Sequence, residues 1–159
     1  MKATARHLKD PAFALSLSFG AGLFRWAPGT AGALVAFPIF LALRELPLLA
    51  STALLAAFFI AGCFAATRAC EQLGEEDHQA VVWDETVGQL MVLLAVPPGL
   101  AWWLAAFLAF RCLDIVKPWP IRLADIHTKG GLAVMLDDAG AALYAISLLL
   151  AVDFLLTWL

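Results

Sequence analysis

Four long apolar stretches dominate this 159-residue chain and leave little room for a water-soluble fold. They cover residues 31–43, 48–66, 87–110 and 139–159. The second and the fourth approach the roughly 20 residues that a helix needs to span about 30 Å of hydrocarbon. None alternates between polar and apolar residues as barrel strands do, so helices are expected to satisfy the backbone hydrogen bonds in lipid. The sequence therefore predicts an all-α integral membrane helical bundle.

The composition indicates the same class of protein. Hydrophobic residues make up 63% of the chain and charged residues 14%, against about 45–50% and about 25% in soluble domains. We expect one membrane-embedded domain, residues 1–159. No basic, aromatic-interleaved stripe is present, so nucleic-acid binding is not expected. The small residues of the apolar segments are compatible with a homodimer.

Charge placement bears on how the helices are connected. Stretch 31–43 is too short to span comfortably and is expected to turn at residues 44–47 and return through 48–66 as a hairpin. Pro97-Pro98-Gly99 is either a kink in one crossing or a turn between two short helices. With the N-terminus inside, a turn puts nine of the ten Lys and Arg residues on the cytoplasmic side, as the positive-inside rule favours. We therefore favour a hairpin in a multi-pass protein of the cytoplasmic membrane.

Two acidic pairs, Asp84-Glu85 and Asp137-Asp138, stand at the polar borders of apolar stretches. Each pair is expected in the first turn of a helix, where the helix dipole favours anions, and the hairpin puts both pairs on the cytoplasmic face. A single acid at such a place is most simply a helix cap. Two pairs favour a metal site, because unpaired buried charges are costly. With oxygen ligands and no Cys or His set nearby, Mg²⁺ is the predicted metal.

A basic segment between the acidic pairs indicates an anionic substrate. Arg111 offers a planar fork to phosphate oxygens, Lys117 offers a point charge, and Asp114 lies between them. The alternative is an interfacial anchor in which Lys117 and Trp119 mark the level of the lipid headgroups.

The N-terminal region offers a second group of phosphate-binding candidates. Gly29 and Thr30 lie just ahead of the first apolar stretch, where backbone N–H groups could meet a phosphate, and Arg25 precedes them. Glycines at this place are equally what close helix packing in a membrane requires. Residues 12–22 are expected to form an amphipathic interfacial helix with Ser16 and Ser18 on its polar side.

Taken in order, these motifs resemble one known family. They are Ala27-Pro28-Gly29-Thr30-x-Gly32, then Asp84-Glu85-x-x-Gly88-Gln89, then Phe110-Arg111-x-x-Asp114-Ile115-x-Lys117-Pro118-Trp119-Pro120, then Gly130-Gly131 with Asp137-Asp138. The series is similar to the phosphatidylglycerophosphatase A family and covers nearly the whole chain. The resemblance implies a Mg²⁺-dependent, membrane-bound phosphatase that removes the terminal phosphate of phosphatidylglycerophosphate to give phosphatidylglycerol.

These residues suggest a mechanism for hydrolysis of a phosphate monoester. The predicted metal ligands are Asp84, Glu85, Asp137 and Asp138, for one or two Mg²⁺ ions that bind phosphate and activate water. The predicted phosphate-binding residues are Arg25, Gly29, Thr30, Arg111 and Lys117. The predicted catalytic residues are Asp84, Glu85, Arg111, Asp114, Lys117 and Asp138, with Asp114 either a further metal ligand or the general base. Attack by water is favoured over a phosphoaspartate, because the Asp-x-Asp-x-Thr arrangement is absent.

The sequence motifs also allow other functions. A lipid phosphate phosphatase of broader specificity would use the same groups. A non-enzymatic Mg²⁺ transporter or assembly protein would instead need acids along a path through the membrane, whereas these acids gather on one side. Lipid phosphotransferases and His-dependent lipid phosphatases are disfavoured because their motifs are missing.

Overall fold

The computed structural model of the chain describes residues 2–75, 78–117 and 130–158, and within these ranges it is helical with no β-strand. The helices are α1 (Pro11–Ser16), α2 (Pro28–Leu43), α3 (Leu48–Leu73), α4 (Trp83–Ala95), α5 (Leu100–Val116) and α6 (Gly131–Thr157). The all-α prediction is confirmed. The expectations for Pro118, Trp119 and Pro120 concern residues outside these ranges.

Helices α3 and α6 are long and apolar enough, by length and composition, to cross a membrane, and α2 is a shorter apolar helix. Large apolar side chains are exposed on their outer faces, including Leu49, Ile60 and Phe64 of α3. A face of this kind is expected to contact lipid rather than water. The architecture is therefore that of a membrane helical bundle.

The turn at Pro97-Pro98-Gly99 is confirmed. Helix α4 ends at Ala95 and α5 begins at Leu100, with Gly99 at a φ of 136°. The two helices run antiparallel, because Gly88 early in α4 packs against Phe110 late in α5. The turn at residues 44–47 is also confirmed, since α2 ends at Leu43 and α3 begins at Leu48. The two helices make few direct contacts, so their packing as a hairpin is not confirmed.

Helix α4 lies at the centre of the bundle and contacts α2, α3, α5 and α6. Its apolar side chains, Leu90 and Leu93, join a core with small residues of the neighbouring helices, such as Ala36 of α2 and Ala142 of α6. Small residues allow helix backbones to approach closely. Such close packing matters in a membrane because the hydrophobic effect does not drive helices together in lipid. The tight packing holds the first turn of α4 in a defined place.

The N-terminal segment differs from the predicted interfacial helix. Helix α1 ends at Ser16, and the chain then passes through left-handed conformations at Ser18 and Phe19 before a 3₁₀ turn. The placement of Ser16 and Ser18 on a polar face was wrong, because both are buried. The Ser18 hydroxyl lies 2.6 Å from the Thr86 hydroxyl, so this segment packs onto α4 through polar contacts.

An ion pair holds the start of α1 against α3. The Asp10 carboxylate accepts a hydrogen bond from the Ala12 N–H at 2.9 Å and another from Arg68 Nη2 at 2.7 Å. These two donors favour the ionised form, the Ala12 N–H most of all, and lower the pKa of Asp10.

The predicted position of Asp137-Asp138 at a helix start was wrong. Helix α6 begins at Gly131 and carries the two acids in its second turn. A Cβ atom at Gly131 would collide with the Cys63 carbonyl of α3, so the packing of the two helices requires a glycine at this position. Close contact between helices, rather than a loop, accounts for the glycine.

Candidate active site

Three carboxylates from two helices converge in the bundle. One oxygen each from Asp84, Glu85 and Asp138 lie within 4.8 Å of one another. Asp84 and Asp138 are buried and Glu85 is half-buried. Asp84 and Glu85 occupy the first turn of α4, as predicted, where the positive end of the helix dipole favours anions. Burial of three acids at this separation calls for a compensating positive charge.

A cation and a fourth acid stand beside this group on α5. Arg111 Nη1 lies 2.5 Å from Asp114 Oδ2 and 3.9 Å from Glu85 Oε1. Among the residues that the structure describes, four carboxylates therefore lie near one guanidinium group, so acidic side chains outnumber basic ones there.

The donor set fits a metal ion. Glu85 Oε2 and Asp138 Oδ2 are buried and have no hydrogen-bond partner among the residues that the structure describes. Carboxylate oxygens are hard ligands that suit divalent cations such as Mg²⁺ and Ca²⁺. The residues that could hold such an ion are Asp84, Glu85 and Asp138.

Asp137 makes a different contact from its neighbour. Its Oδ2 atom forms an ion pair with Lys117 Nζ, at the end of α5. Successive residues of a helix point about 100° apart, so Asp137 and Asp138 meet different partners. Burial lowers the pKa of Lys117, but the hydrogen bond to Asp137 and the nearby charges of the acids outweigh it and raise that pKa. Lys117 therefore keeps its positive charge beside the carboxylates.

The predicted phosphate-binding residues near the N-terminus separate into two places. Gly29, in the first turn of α2, lies directly against Glu85 Oε1 and Arg111 Nη2, so the structure brings it to the carboxylates. Thr30 follows it and is half-buried. Arg25 is exposed and lines a separate cavity of about 410 Å³ with Lys2.

Two polar side chains of α4 were not given a role from the sequence. The Thr86 hydroxyl donates to the Gly32 carbonyl of α2 at 2.8 Å and so ties the two helices together. Gln89 is completely buried. It was part of a recognised motif, but no spacing or charge pattern assigned it a function.

The fold and the site together define a helical membrane protein with a buried centre of carboxylates and arginine that could hold a metal ion. Residues 14–153 match the family described as phosphatidylglycerophosphatase A. The chain belongs to the phosphatidylglycerophosphatase A family, and it is an enzyme of the phosphatase class.

Three relatives show how far the similarity extends. A phosphatidylglycerophosphatase A of Haemophilus influenzae is 40% identical over 152 residues, which cover 92% of this chain and 91% of the relative. That of Escherichia coli is 34% identical over 143 residues, covering 89% and 83%. A Bacteroides thetaiotaomicron protein, whose name assigns it provisionally to the phosphatidylinositol-3-phosphatases, is 42% identical over 153 residues, covering 89% and 95%. No solved structure was found to match the chain.

Proposed function

We propose that this protein hydrolyses the terminal phosphate monoester of phosphatidylglycerophosphate, in a Mg²⁺-dependent reaction that gives phosphatidylglycerol and phosphate. The observation that carries the proposal is the meeting of Asp84, Glu85 and Asp138 with Arg111 inside a membrane bundle. The names of the Haemophilus influenzae and Escherichia coli relatives support the substrate. Residues 1–159 would act as a single membrane-embedded phosphatase domain.

Asp84, Glu85 and Asp138 would hold the cation, since their oxygens form the compact group of hard ligands. A bound Mg²⁺ would supply positive charge at the phosphoryl oxygens and lower the pKa of coordinated water. Asp137 belongs to the ligand set predicted from the sequence, but its ion pair with Lys117 favours a role in holding that lysine.

Arg111 is suited to bind the phosphoryl group. Its Nη1 atom donates a hydrogen bond to Asp114. The buried Nε atom of Arg111 has no partner among the described residues and would donate to a phosphoryl oxygen. Lys117 adds a second positive charge. Gly29 lies directly against Glu85 and Arg111, and its lack of a side chain lets both groups keep their positions.

The reaction needs a base for the attacking water. Asp114, which accepts a hydrogen bond from Arg111, would take the proton as the water oxygen bonds to phosphorus. The bond from phosphorus to the glycerol oxygen breaks, and the departing alkoxide takes up the proton that Asp114 accepted from the water. The acyl chains would remain in the bilayer throughout.

A multi-pass arrangement with the site on the cytoplasmic face is part of the proposal. The hairpin of α4 and α5 puts Asp84 and Arg111 at the same end of the bundle. Nine of the ten Lys and Arg residues would then be cytoplasmic, as the positive-inside rule favours.

The test is phosphate release from phosphatidylglycerophosphate by detergent-purified protein, with Mg²⁺ and with EDTA. Phosphatidic acid and phosphatidylinositol 3-phosphate serve as competing substrates, the latter because of the Bacteroides relative. We expect release that requires Mg²⁺ and prefers phosphatidylglycerophosphate. Equal release from all three lipids would indicate a broader lipid phosphatase. No release by folded protein would reject the enzyme assignment of this chain and favour a transport or assembly role.

The matched variants are Asp138→Asn and Asp84→Asn. Each should abolish release while the protein stays folded, because each removes one negatively charged ligand and keeps the side-chain shape. Full turnover in both variants would exclude the proposed metal site.

A further inference from the structure

Gln89 of α4 is a buried glutamine that the reaction outlined above does not use. It has an exposed fraction of 0%, and neither Oε1 nor Nε2 has a hydrogen-bond partner in the part of the chain that the structure describes. Burying an amide without partners costs about 1–3 kcal/mol by mutational measurements. An apolar residue of similar shape would avoid this cost. Helix packing alone therefore does not explain an amide at this position.

The position of Gln89 on its helix directs it toward the carboxylates. Gln89 follows Glu85 by one turn, so the two side chains share a face of α4. Helical side chains lean toward the N-terminus of their own helix. From Gln89, that direction leads to Asp84 and Glu85 in the first turn.

The other helices of the site enclose α4 at the same level. A Cβ atom at the neighbouring Gly88 would lie 2.7 Å from Phe110 Cζ and 3.2 Å from the Asp138 carbonyl oxygen. Phe110 precedes Arg111 on α5, and Asp138 is one of the three clustered acids. Helices α5 and α6 therefore close around α4 within one turn of the carboxylates.

The chemistry of the amide complements that of the acids. A glutamine carbonyl oxygen is a hard ligand for a divalent cation and adds no further negative charge. Mg²⁺ also keeps several of its waters in protein sites, and such waters donate hydrogen bonds that a carbonyl oxygen accepts. Either contact would satisfy the buried oxygen.

We infer that Gln89 is a further oxygen ligand of the divalent-cation site formed by Asp84, Glu85 and Asp138, bound directly or through one water. The inference rests on the proposed function to the extent that the site holds a cation. It does not depend on which phosphate ester the enzyme cleaves.

The experiment follows thermal unfolding of the full detergent-purified chain, first in EDTA and then across a Mg²⁺ titration. Gln89→Leu removes the amide, Gln89→Glu keeps a ligand oxygen, and Gln79→Leu is the same change at an exposed loop position. In EDTA, Gln89→Leu should unfold at or above the wild-type temperature, because it removes an amide without partners. The Mg²⁺ concentration for half-maximal stabilisation should rise about 10- to 100-fold in Gln89→Leu. It should stay near the wild-type value in the other two variants.

Three results would overturn the inference. The first is a lower unfolding temperature of Gln89→Leu in EDTA with an unchanged Mg²⁺ midpoint, which would make the amide structural. The second is failure of both Gln89→Leu and Gln89→Met to fold. The third is a wild-type protein that Mg²⁺ does not stabilise. Phosphate release is measured separately, so a Gln89-dependent Mg²⁺ response without release from phosphatidylglycerophosphate would reject the proposed substrate and retain the ligand.

Discussion

Replacing Gly29 with alanine should separate catalysis from stability. Gly29 is the second residue of α2 and its φ is not positive, so alanine fits the backbone there. The added Cβ atom would collide with Glu85 Oε1 and would lie 2.9 Å from Arg111 Nη2. Two of the groups proposed to act on phosphate would have to move, while the helix itself would not.

The size of the effect follows from these contacts. Carbon atoms reach favourable contact at about 3.5–4.0 Å, so Arg111 has to retreat by roughly 0.6–1 Å and Glu85 by more. A misplacement of about 1 Å can reduce the rate about 100-fold, which corresponds to about 2.7 kcal/mol in activation free energy. In contrast, alanine improves helix stability over glycine by about 0.5–1 kcal/mol. That gain should offset much of the strain at the site.

The assay compares phosphate release at saturating phosphatidylglycerophosphate with the thermal unfolding temperature in the same detergent. Gly32→Ala is the matched control, because its Cβ atom would lie 2.6 Å from the Val82 carbonyl oxygen and would push α2 away from the start of α4. We expect Gly29→Ala to lose activity and remain folded, and Gly32→Ala to lose stability. Full activity in Gly29→Ala would refute the proposed site, and a joint loss of activity and stability would refute the reasoning about α2.

Three further predictions concern the contacts around the site. Thr86→Val should lower the free energy of unfolding by about 0.5–1.5 kcal/mol, measured by denaturation in detergent, because it removes the hydrogen bond from the Thr86 hydroxyl to the Gly32 carbonyl of α2. Lys117→Met should also destabilise the protein, since it removes the ion pair with the buried Asp137. The double variant with Asp137→Leu should recover stability, and a failure to do so would mean that the ion pair is not the cause. The ion pair between Asp10 and Arg68 should hold the N-terminal segment above about pH 3.9, the unfolded pKa, and weaken as pH falls through the lower folded pKa. Proteolysis of that segment should therefore increase at acidic pH in the wild type, whereas Asp10→Asn should lack this pH dependence.

Features with local causes could be predicted from the sequence. The turn between α4 and α5 follows from two prolines and a glycine, and the position of Asp84 and Glu85 follows from acids just ahead of an apolar run. Both signals act within a few residues and depend little on the rest of the fold. The membrane class followed from length and apolar composition for the same reason.

Features that depend on contacts between helices could not be predicted from the sequence. Gly131 of α6 packs against the Cys63 carbonyl, 68 positions earlier, and no local pattern shows that contact. The pairing of Asp137 with Lys117 similarly requires the ends of α5 and α6 to meet. Burial of Ser16 and Ser18 depends on how the N-terminal segment packs onto α4. The sequence shows only that Gln89 is polar. Its complete burial, which the sequence does not show, is what indicates a role for the amide.

The unequal lengths of the helices have a consequence for the surrounding bilayer. The 13 residues of α4 and the 17 of α5 rise about 20 Å and about 26 Å, less than the hydrocarbon thickness of about 30 Å, whereas the 27 residues of α6 rise about 40 Å. In the proposed multi-pass arrangement, the lipid beside α5 would thin to match the length of that helix. Such thinning would bring the headgroups of nearby lipids closer to the carboxylates, so the short hairpin would favour access of a headgroup phosphate to the site.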